Sequence, residues 1–171
     1  VFPFDYNDYE QLSSICDKND IGVIKMEVIR NQGPENNFLQ KVRDLATQRG
    51  IVLVFDECTS GFRETFGGLH KKYNINPDIA VFGKAIGNGI PITSILMGDG
   101  YFNSAKSSFI SSTFWSESLG PAAAIETLKE MKRIKSWKII TQIGKNIKRF
   151  WTKMSKKYGI KLEINGIDPM P

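Results

Sequence analysis

Residues 51–57 read IVLVFDE, and residues 79–91 read IAVFGKAIGNGIP. Each stretch opens with a short, unbroken run of apolar and mostly branched residues, which is typical of a strand buried on both faces of a parallel sheet. The first run ends at Asp56, and only a glycine separates the second run from Lys84. In open α/β sheets, ligands bind outside the carboxyl ends of the strands. We therefore expect Asp56 and Lys84 to face the same crevice.

The segments around these two runs complete an α/β pattern. Residues 21–28 form another strand pattern, and a helix pattern follows Asn36 or Asn37 and stops at Gly50. A strand, a helix and a strand in this order require a right-handed crossover and a parallel pair. The predicted fold is therefore α/β, with a mostly parallel sheet and flanking helices. Further patterns predict helices over 5–18, 118–131 and 137–158 and strands over 92–97 and 160–164.

The composition limits the classes of function. Of the 171 residues, 41% are hydrophobic and 24% are charged, as in a globular domain. We assign the net charge of +5 to solvated helix faces and expect no nucleic-acid partner, because no stripe of aromatic and basic residues accompanies it. Cys16 and Cys58 form neither a CxxC pair nor a disulfide framework. With no secretory signal and no apolar run of membrane-spanning length, we expect a cytoplasmic protein without a membrane partner.

Lys84 and Asp56 are the strongest candidate functional residues. An amine that can form an imine, opposite a carboxylate that can hold a protonated pyridine, is the minimum equipment of a pyridoxal phosphate enzyme. Taken singly, each residue has a simpler explanation, as an exposed lysine and as an aspartate at a strand end. Gly83, Gly87 and Gly89 favour the functional interpretation, because glycines let the backbone approach a bound group closely.

Two other kinds of site fit the sequence less well. The aliphatic run before Asp56 also resembles the magnesium-binding strand of P-loop ATPases, but Gly83 and Lys84 are followed by Ala85 rather than by Ser or Thr. A nucleotide hydrolase would therefore need a phosphate loop outside this chain. His70 is the only histidine, and no Cys or Asp cluster stands at ligand spacing around it. We expect no metal site and interpret His70 as a surface or loop residue.

Several motifs together resemble one family. The motifs VFDECTSGFR at 54–63, FGG at 66–68, PD at 77–78 and GKAIGNGIP at 83–91 are similar to those of class III aminotransferases, most of all the glutamate-1-semialdehyde aminomutase branch. The resemblance implies a fold-type I pyridoxal phosphate enzyme that works on a small-molecule amino or keto substrate. It also implies a homodimer with active sites at the subunit boundary. Residues 1–135 would be part of the cofactor-binding large domain, and residues 136–171 a helix and the start of a C-terminal subdomain.

Carried over to this sequence, the resemblance gives three residues a role at the cofactor ring. Lys84 would form the internal aldimine, and Asp56 would pair with the pyridine nitrogen. Cys58 stands where the family usually has valine, and it would pack against the ring as a small apolar side chain. A freed Lys84 would move a proton between the substrate carbon and the cofactor carbon, which is general acid–base catalysis worth about 10²–10⁴-fold.

The resemblance assigns two further residues to the cofactor. Thr113, in the polar segment SSTF at 111–114, resembles the threonine that reaches the cofactor phosphate of the neighbouring subunit, and Ser112 could serve instead. Asn31 falls near a family loop that approaches the ring oxygen. In that loop this chain reads Glu27-Val28, where the family usually reads Glu-Pro.

The leading hypothesis is a pyridoxal phosphate-dependent aminotransferase or aminomutase. The main alternative is a catalytically incompetent homologue that acts as an interaction module, and the intact Asp56 and Lys84 argue against it. The chain opens without Met and ends directly after a strand pattern. The family's phosphate-cradling loop and ring-stacking aromatic residue are also absent from it. We therefore expect a fragment that is inactive in isolation.

Overall fold

The computed structural model of the chain describes residues 1–111, 113–114 and 116–171. Within these residues the chain forms a four-stranded sheet whose strands follow one another in chain order. The first three strands are parallel, and the fourth is antiparallel to the third, which confirms the mostly parallel α/β sheet. The strands are β1 (Val23–Glu27), β2 (Val52–Asp56), β3 (Ile79–Phe82) and β4 (Ser94–Met97). The helices of the same residues are α1 (Tyr9–Lys18), α2 (Phe38–Arg49), α3 (Asp99–Ser107), α4 (Leu119–Ile134) and α5 (Ser136–Tyr158).

The unit β1–α2–β2 forms because each of its elements buries one apolar side. α2 begins after Asn37 and ends at Gly50, whose φ of +66° is the left-handed conformation that closes many helices. The helix and the strands then share one hydrophobic core. Its members include Phe38, Leu39, Val42, Leu45 and Ala46 of α2 and Ile24, Met26, Leu53 and Phe55 of the sheet.

The register of the sheet brings the carboxyl ends of the parallel strands to one edge. Glu27, the last residue of β1, pairs with Asp56, the last residue of β2. Asp56 in turn pairs with Val81 of β3. Because β3 ends one residue later at Phe82, the chain reaches Lys84 at this same edge.

Burial alternates along β1, β2 and β3, because successive side chains of a strand point to opposite faces. The prediction that β2 and β3 are buried on both faces is therefore wrong in this structure. One face is turned into the core, and the other stays partly open. Lys25, Glu27 and Asp56 share the open face, because Lys25 pairs with Val54 and Glu27 with Asp56. The open face therefore carries charged side chains at its carboxyl edge.

Two local features differ from the prediction. α3 forms where the sequence predicts no helix, and it buries no residue, so a core-facing pattern is missing there. The predicted strand over residues 160–164 is wrong. The chain leaves α5 through Gly159, at φ +64°, and both the amide and the carbonyl of Ile160 bond to Ser155. No strand of the described residues pairs with this segment, and a strand needs such a partner.

α5 connects the sheet-bearing part of the chain with its last residues. The Trp137 ring lies 5.3 Å from the Phe66 ring, centroid to centroid. Gly144 lets the last residues cross the helix closely, because a Cβ at this position would lie 1.6 Å from the carbonyl oxygen of Asp168. Although α5 has 23 residues, no helix in the described part of the chain is both long and apolar enough to cross a membrane.

Candidate functional site

Asp56 lies at the end of β2 with its carboxylate held from two sides. Its Oδ1 accepts a hydrogen bond of 3.1 Å from the Cys58 amide, and its Oδ2 lies 3.1 Å from Lys25 Nζ. Partial burial raises the pKa of the Asp56 carboxyl, but the bonds from Cys58 and Lys25 outweigh it and hold the pKa below its usual range. Asp56 is therefore a fixed and ionised carboxylate that remains 25% exposed at the sheet edge.

Lys84 follows β3 after one glycine and adopts a backbone conformation that is unusual for lysine. Its φ is +46°, in the left-handed region, where a residue with a Cβ is disfavoured by about 1–3 kcal/mol. Its exposed amine donates a hydrogen bond of 2.5 Å to the Thr59 hydroxyl oxygen. Backbone strain of this kind is concentrated at functional sites, where the surrounding structure enforces it.

Cys58 occupies the space between the segments that carry Asp56 and Lys84. Gly83 lies so close to it that a Cβ on Gly83 would be 3.3 Å from the Cys58 sulfur. Partial burial and then the hydrogen bond with Asp56 raise the pKa of the Cys58 thiol. The thiol is therefore neutral near neutral pH, as a small packing side chain should be.

The glycines after Lys84 form a tight turn that fixes the position of the backbone from which the Lys84 side chain extends. A Cβ on Gly87 would lie 2.1 Å from the carbonyl oxygen of Ile90, so no other residue fits without moving the turn. Gly89 has a φ of +104°, which favours glycine. The glycine-rich stretch is thus required by the path of the backbone at the site.

Glu57 forms a buried network directly behind Asp56. Its side chain is fully buried, and Oε1 accepts hydrogen bonds of 2.9 Å from both the amide and Nδ1 of His70. Ser60 donates to Oε2, and the Glu57 amide donates to the Val81 carbonyl of β3 at 2.8 Å. His70 is only 8% exposed, so its interpretation as a surface residue is wrong. Through these hydrogen bonds, Glu57 connects the end of β2, which carries Asp56, with the segment that contains His70 and with β3.

The side chains of Asn31 and Thr113 form no hydrogen bond with Asp56 or Lys84 within the described residues. Asn31 is exposed in the loop after β1, and its carbonyl accepts a hydrogen bond of 2.9 Å from the Gly166 amide. Thr113 is exposed in the segment between α3 and α4. Ser112, the alternative to Thr113, lies outside the described residues.

Lys25, Thr59 and Glu57 are the contacts that sequence analysis does not single out. The alternation along β1 places Lys25 on the open face, and this much is visible in the sequence. The strand register that brings Lys25 close to Asp56 is not visible in the sequence. Thr59 and Glu57 lie inside the motif around Asp56, but which partner each one binds depends on the path of the following loop.

The geometry fits a group that carries an aldehyde and a basic ring nitrogen. A primary amine and an ionised carboxylate follow neighbouring parallel strands, with a small neutral side chain between them. The amine can bind the aldehyde carbon, and the carboxylate can accept a hydrogen bond from a protonated ring nitrogen. Lys84, Asp56 and Cys58 are therefore the residues of this chain that could hold pyridoxal phosphate.

The left-handed conformation of Lys84 leads to a prediction about stability. Lys84→Gly is expected to be more stable than Lys84→Ala by about 1 kcal/mol in the free energy of unfolding, because alanine keeps the strained Cβ and glycine removes it. Equilibrium denaturation measures the difference, and both variants lack the amine. Lys129, inside α4, is the matched control, because there glycine should be the less stable of the pair by about 1 kcal/mol. The same order at both positions would contradict the strained conformation of Lys84.

Comparisons with known sequences identify relatives over the whole length of the chain. The model of the class III aminotransferase family matches residues 9–167. The chain is similar to the 3-aminobutyryl-CoA aminotransferase of Cloacimonas acidaminovorans, at 32% identity over 180 residues that cover 100% of this chain and 44% of that protein. It is also similar to the glutamate-1-semialdehyde 2,1-aminomutase of Natranaerobius thermophilus, at 31% identity over 176 residues that cover 96% of this chain and 40% of that protein. The chain therefore spans less than half the length of the curated relatives it matches.

A comparison with solved structures agrees with these sequence matches. The chain is similar to the FumI protein of Sphingopyxis sp. MTA144 in its PLP internal aldimine form, with a TM-score of 0.94 and 25% identity. The match covers 98% of this chain and 42% of the FumI chain. The family match also includes the motifs at residues 54–91 that carry the resemblance. On the strength of the match over residues 9–167, this chain belongs to the class III aminotransferase family.

Proposed function

We propose that the protein that carries this chain is a pyridoxal phosphate-dependent aminotransferase or aminomutase, with Lys84 and Asp56 at its reacting centre. The observation that carries the proposal is the ionised Asp56 and the strained, exposed Lys84 at the carboxyl ends of neighbouring parallel strands. Family membership supports it, as do relatives named as an aminotransferase and an aminomutase.

Each residue of the site has a distinct task in this proposal. Pyridoxal phosphate, when bound, supplies an aldehyde for amines and a protonated ring that withdraws electrons. Asp56 keeps the proton on the ring nitrogen, since an ionised carboxylate within hydrogen-bond reach favours the charged form. Lys84 Nζ would bind the aldehyde carbon, and its amine would also serve as the base that moves a proton to or from the substrate carbon. Cys58 packs against the ring, and Gly83 gives it the room to do so.

The partners and the surroundings of the site complete the proposal. The substrate is a small-molecule amine or its keto partner. The proposal includes both transfer of the amino group between two molecules, as in an aminotransferase, and transfer within one molecule, as in an aminomutase. We propose, from the resemblance to the family, a homodimer in which Thr113 reaches the cofactor phosphate of the neighbouring subunit. The exposure of Thr113 is compatible with this role. We also propose that Asn31 approaches the ring oxygen of the cofactor. The proposed location of the protein is the cytoplasm. We also propose that residues 1–135 belong to the cofactor-binding domain and that residues 136–171 begin the next subdomain.

Trapping the cofactor on its lysine tests the proposal. The protein that carries this chain is mixed with pyridoxal phosphate, its visible absorbance is recorded, and the sample is reduced with borohydride and digested for peptide mapping. We expect a coloured adduct that becomes fixed to the peptide containing Lys84. Lys84→Ala should lose the colour and the labelled peptide. Lys106→Ala, which changes a lysine outside the site, on α3, should keep both.

Two results would redirect the interpretation. A label on a different lysine would remove Lys84 from the reaction and leave the cofactor in place. No adduct in the unaltered protein would overturn the enzyme proposal and favour an interaction module that keeps only the fold. A nucleotide hydrolase is the weaker alternative, because the segment at Lys84 lacks the Ser or Thr that a P-loop places after its lysine.

A further inference from the structure

The Asp56 carboxylate already has a cationic partner within this chain. Lys25 Nζ lies 3.1 Å from Asp56 Oδ2, while the Cys58 amide occupies Oδ1. Lys25 has another carboxylate two residues away on the same open face, but Glu27 is turned to Arg30 at 3.2 Å. Lys25 therefore pairs with Asp56 and leaves Glu27 to a different cation.

This pairing places two cations in competition for one carboxylate oxygen. In the proposed function the protonated ring nitrogen of pyridoxal phosphate needs an oxygen of Asp56 that is free to accept. The backbone amide of Cys58 has a fixed position, so Oδ2 is the oxygen that can be released. The Lys25 side chain is 63% exposed and can move away into solvent.

We propose that Lys25 competes with the protonated ring nitrogen of pyridoxal phosphate for the Asp56 carboxylate, so that Lys25 limits the affinity for this cofactor. The inference rests on the proposed function, because it requires that the ring nitrogen binds at Asp56. It adds an affinity-determining residue on β1, the strand beside the one that ends in Asp56. The ion pair also helps to keep the Asp56 carboxylate ionised and oriented.

Equilibrium binding of pyridoxal phosphate to the protein that carries this chain, followed by tryptophan fluorescence, tests the inference. Lys25→Met keeps a long, unbranched side chain and removes the charge, and it is expected to lower the Kd about two- to fivefold, the range for an exposed ion pair. Lys25→Arg keeps the charge and should bind as the unaltered protein does. The difference between Lys25→Met and the unaltered protein should shrink as the salt concentration rises.

Two controls separate competition at Asp56 from a general change of charge. Lys129→Met removes an equally exposed lysine, 67% against 63%, from an ion pair with Glu126, and it should leave the Kd unchanged. In an Asp56→Asn background, Lys25→Met should no longer improve binding, because the contested charge is gone. Unphosphorylated pyridoxal should show the same preference for Lys25→Met, which excludes an effect on the phosphate.

A second readout does not depend on the cofactor. The pKa of the Asp56 carboxyl, followed by carbon NMR in the cofactor-free protein, should rise in Lys25→Met, because the ion pair is one of the causes that lower it. An unchanged or weaker affinity in Lys25→Met, in a protein that still forms the adduct on Lys84, would overturn this inference alone. The absence of any adduct in the unaltered protein would overturn the proposed function together with it.

Discussion

Asp56→Asn is expected to lower the turnover of amino substrates by about 10²–10³-fold, the effect of removing one preorganised electrostatic group from an active site. Asparagine has the same shape and can still accept the hydrogen bond from the Cys58 amide at Oδ1. It has no charge with which to keep a proton on a ring nitrogen. The loss should therefore fall on kcat, with the fold intact.

The measurement is steady-state kinetics at saturating pyridoxal phosphate, so that weaker cofactor binding does not enter the result. Asp17→Asn is the matched control, because Asp17 also forms an ion pair, in its case with Arg49, but lies on α1. Its turnover should stay unchanged, because Asp17 has no role at the site and a surface substitution alters the free energy of unfolding by less than about 0.5 kcal/mol. Unchanged turnover in Asp56→Asn would remove Asp56 from the reaction.

Asp56 should also stay ionised at lower pH than an ordinary aspartate. Its folded pKa is lowered, so the charge that the reaction needs is present above that pKa and is lost only as the pH falls through it. Acid inactivation near pH 5 would therefore have to come from another group. In Lys25→Met the titration of the Asp56 carboxyl in the cofactor-free protein should move upward, because one cause of the lowered pKa is gone. The acid limb of the activity profile should stay where it is, because the ring nitrogen has replaced Lys25 at Asp56 in the loaded enzyme.

The parallel core of the fold is readable from the sequence because its signals are local. The apolar runs that end at Phe55 and Phe82 identify the strands β2 and β3, and Gly50 marks the end of α2. Their composition does not show that one face of each strand stays only partly buried. The helix predicted over residues 5–18 begins four residues later, at Tyr9, because Asp8 caps α1 by accepting a hydrogen bond of 2.9 Å from the Gln11 amide. The predicted strand at residues 160–164 failed because a strand depends on a partner elsewhere in the chain.

The site is readable only as far as the strands determine it. Asp56 and Lys84 share an edge because the carboxyl ends of parallel strands meet, and this follows from the pattern alone. The contact with Lys25 depends on a register that no local signal reports. The burial of His70 depends on the loop that brings it back to Glu57, a carboxylate that needs donors once it is buried.

Glu57→Ala is expected to destabilise the protein by about 3–5 kcal/mol, because it breaks a buried network by removing its central acceptor. The change leaves the amide and Nδ1 of His70 and the hydroxyl of Ser60 without their partner. It also opens a cavity where the fully buried side chain stood. Denaturant-induced unfolding measures the loss, and Glu126→Ala, a change of a highly exposed glutamate, should alter stability by less than about 0.5 kcal/mol.

Glu57→Gln keeps the volume and separates the effect of charge from that of the cavity. Glutamine can still accept from His70, but its amide cannot accept from Ser60, so a smaller loss of about 1–3 kcal/mol is expected. Burial raises the pKa of Glu57, yet the hydrogen bonds from His70 and Ser60 outweigh it and lower the folded pKa. A lowered folded pKa gives stability that is present above the unfolded pKa of about 4.3 and is lost as the pH falls through the folded value. The stability difference between the unaltered protein and Glu57→Gln should therefore be constant near neutral pH and shrink below about pH 4. A difference that does not change with pH would mean that the buried side chain acts through its shape and not through its charge.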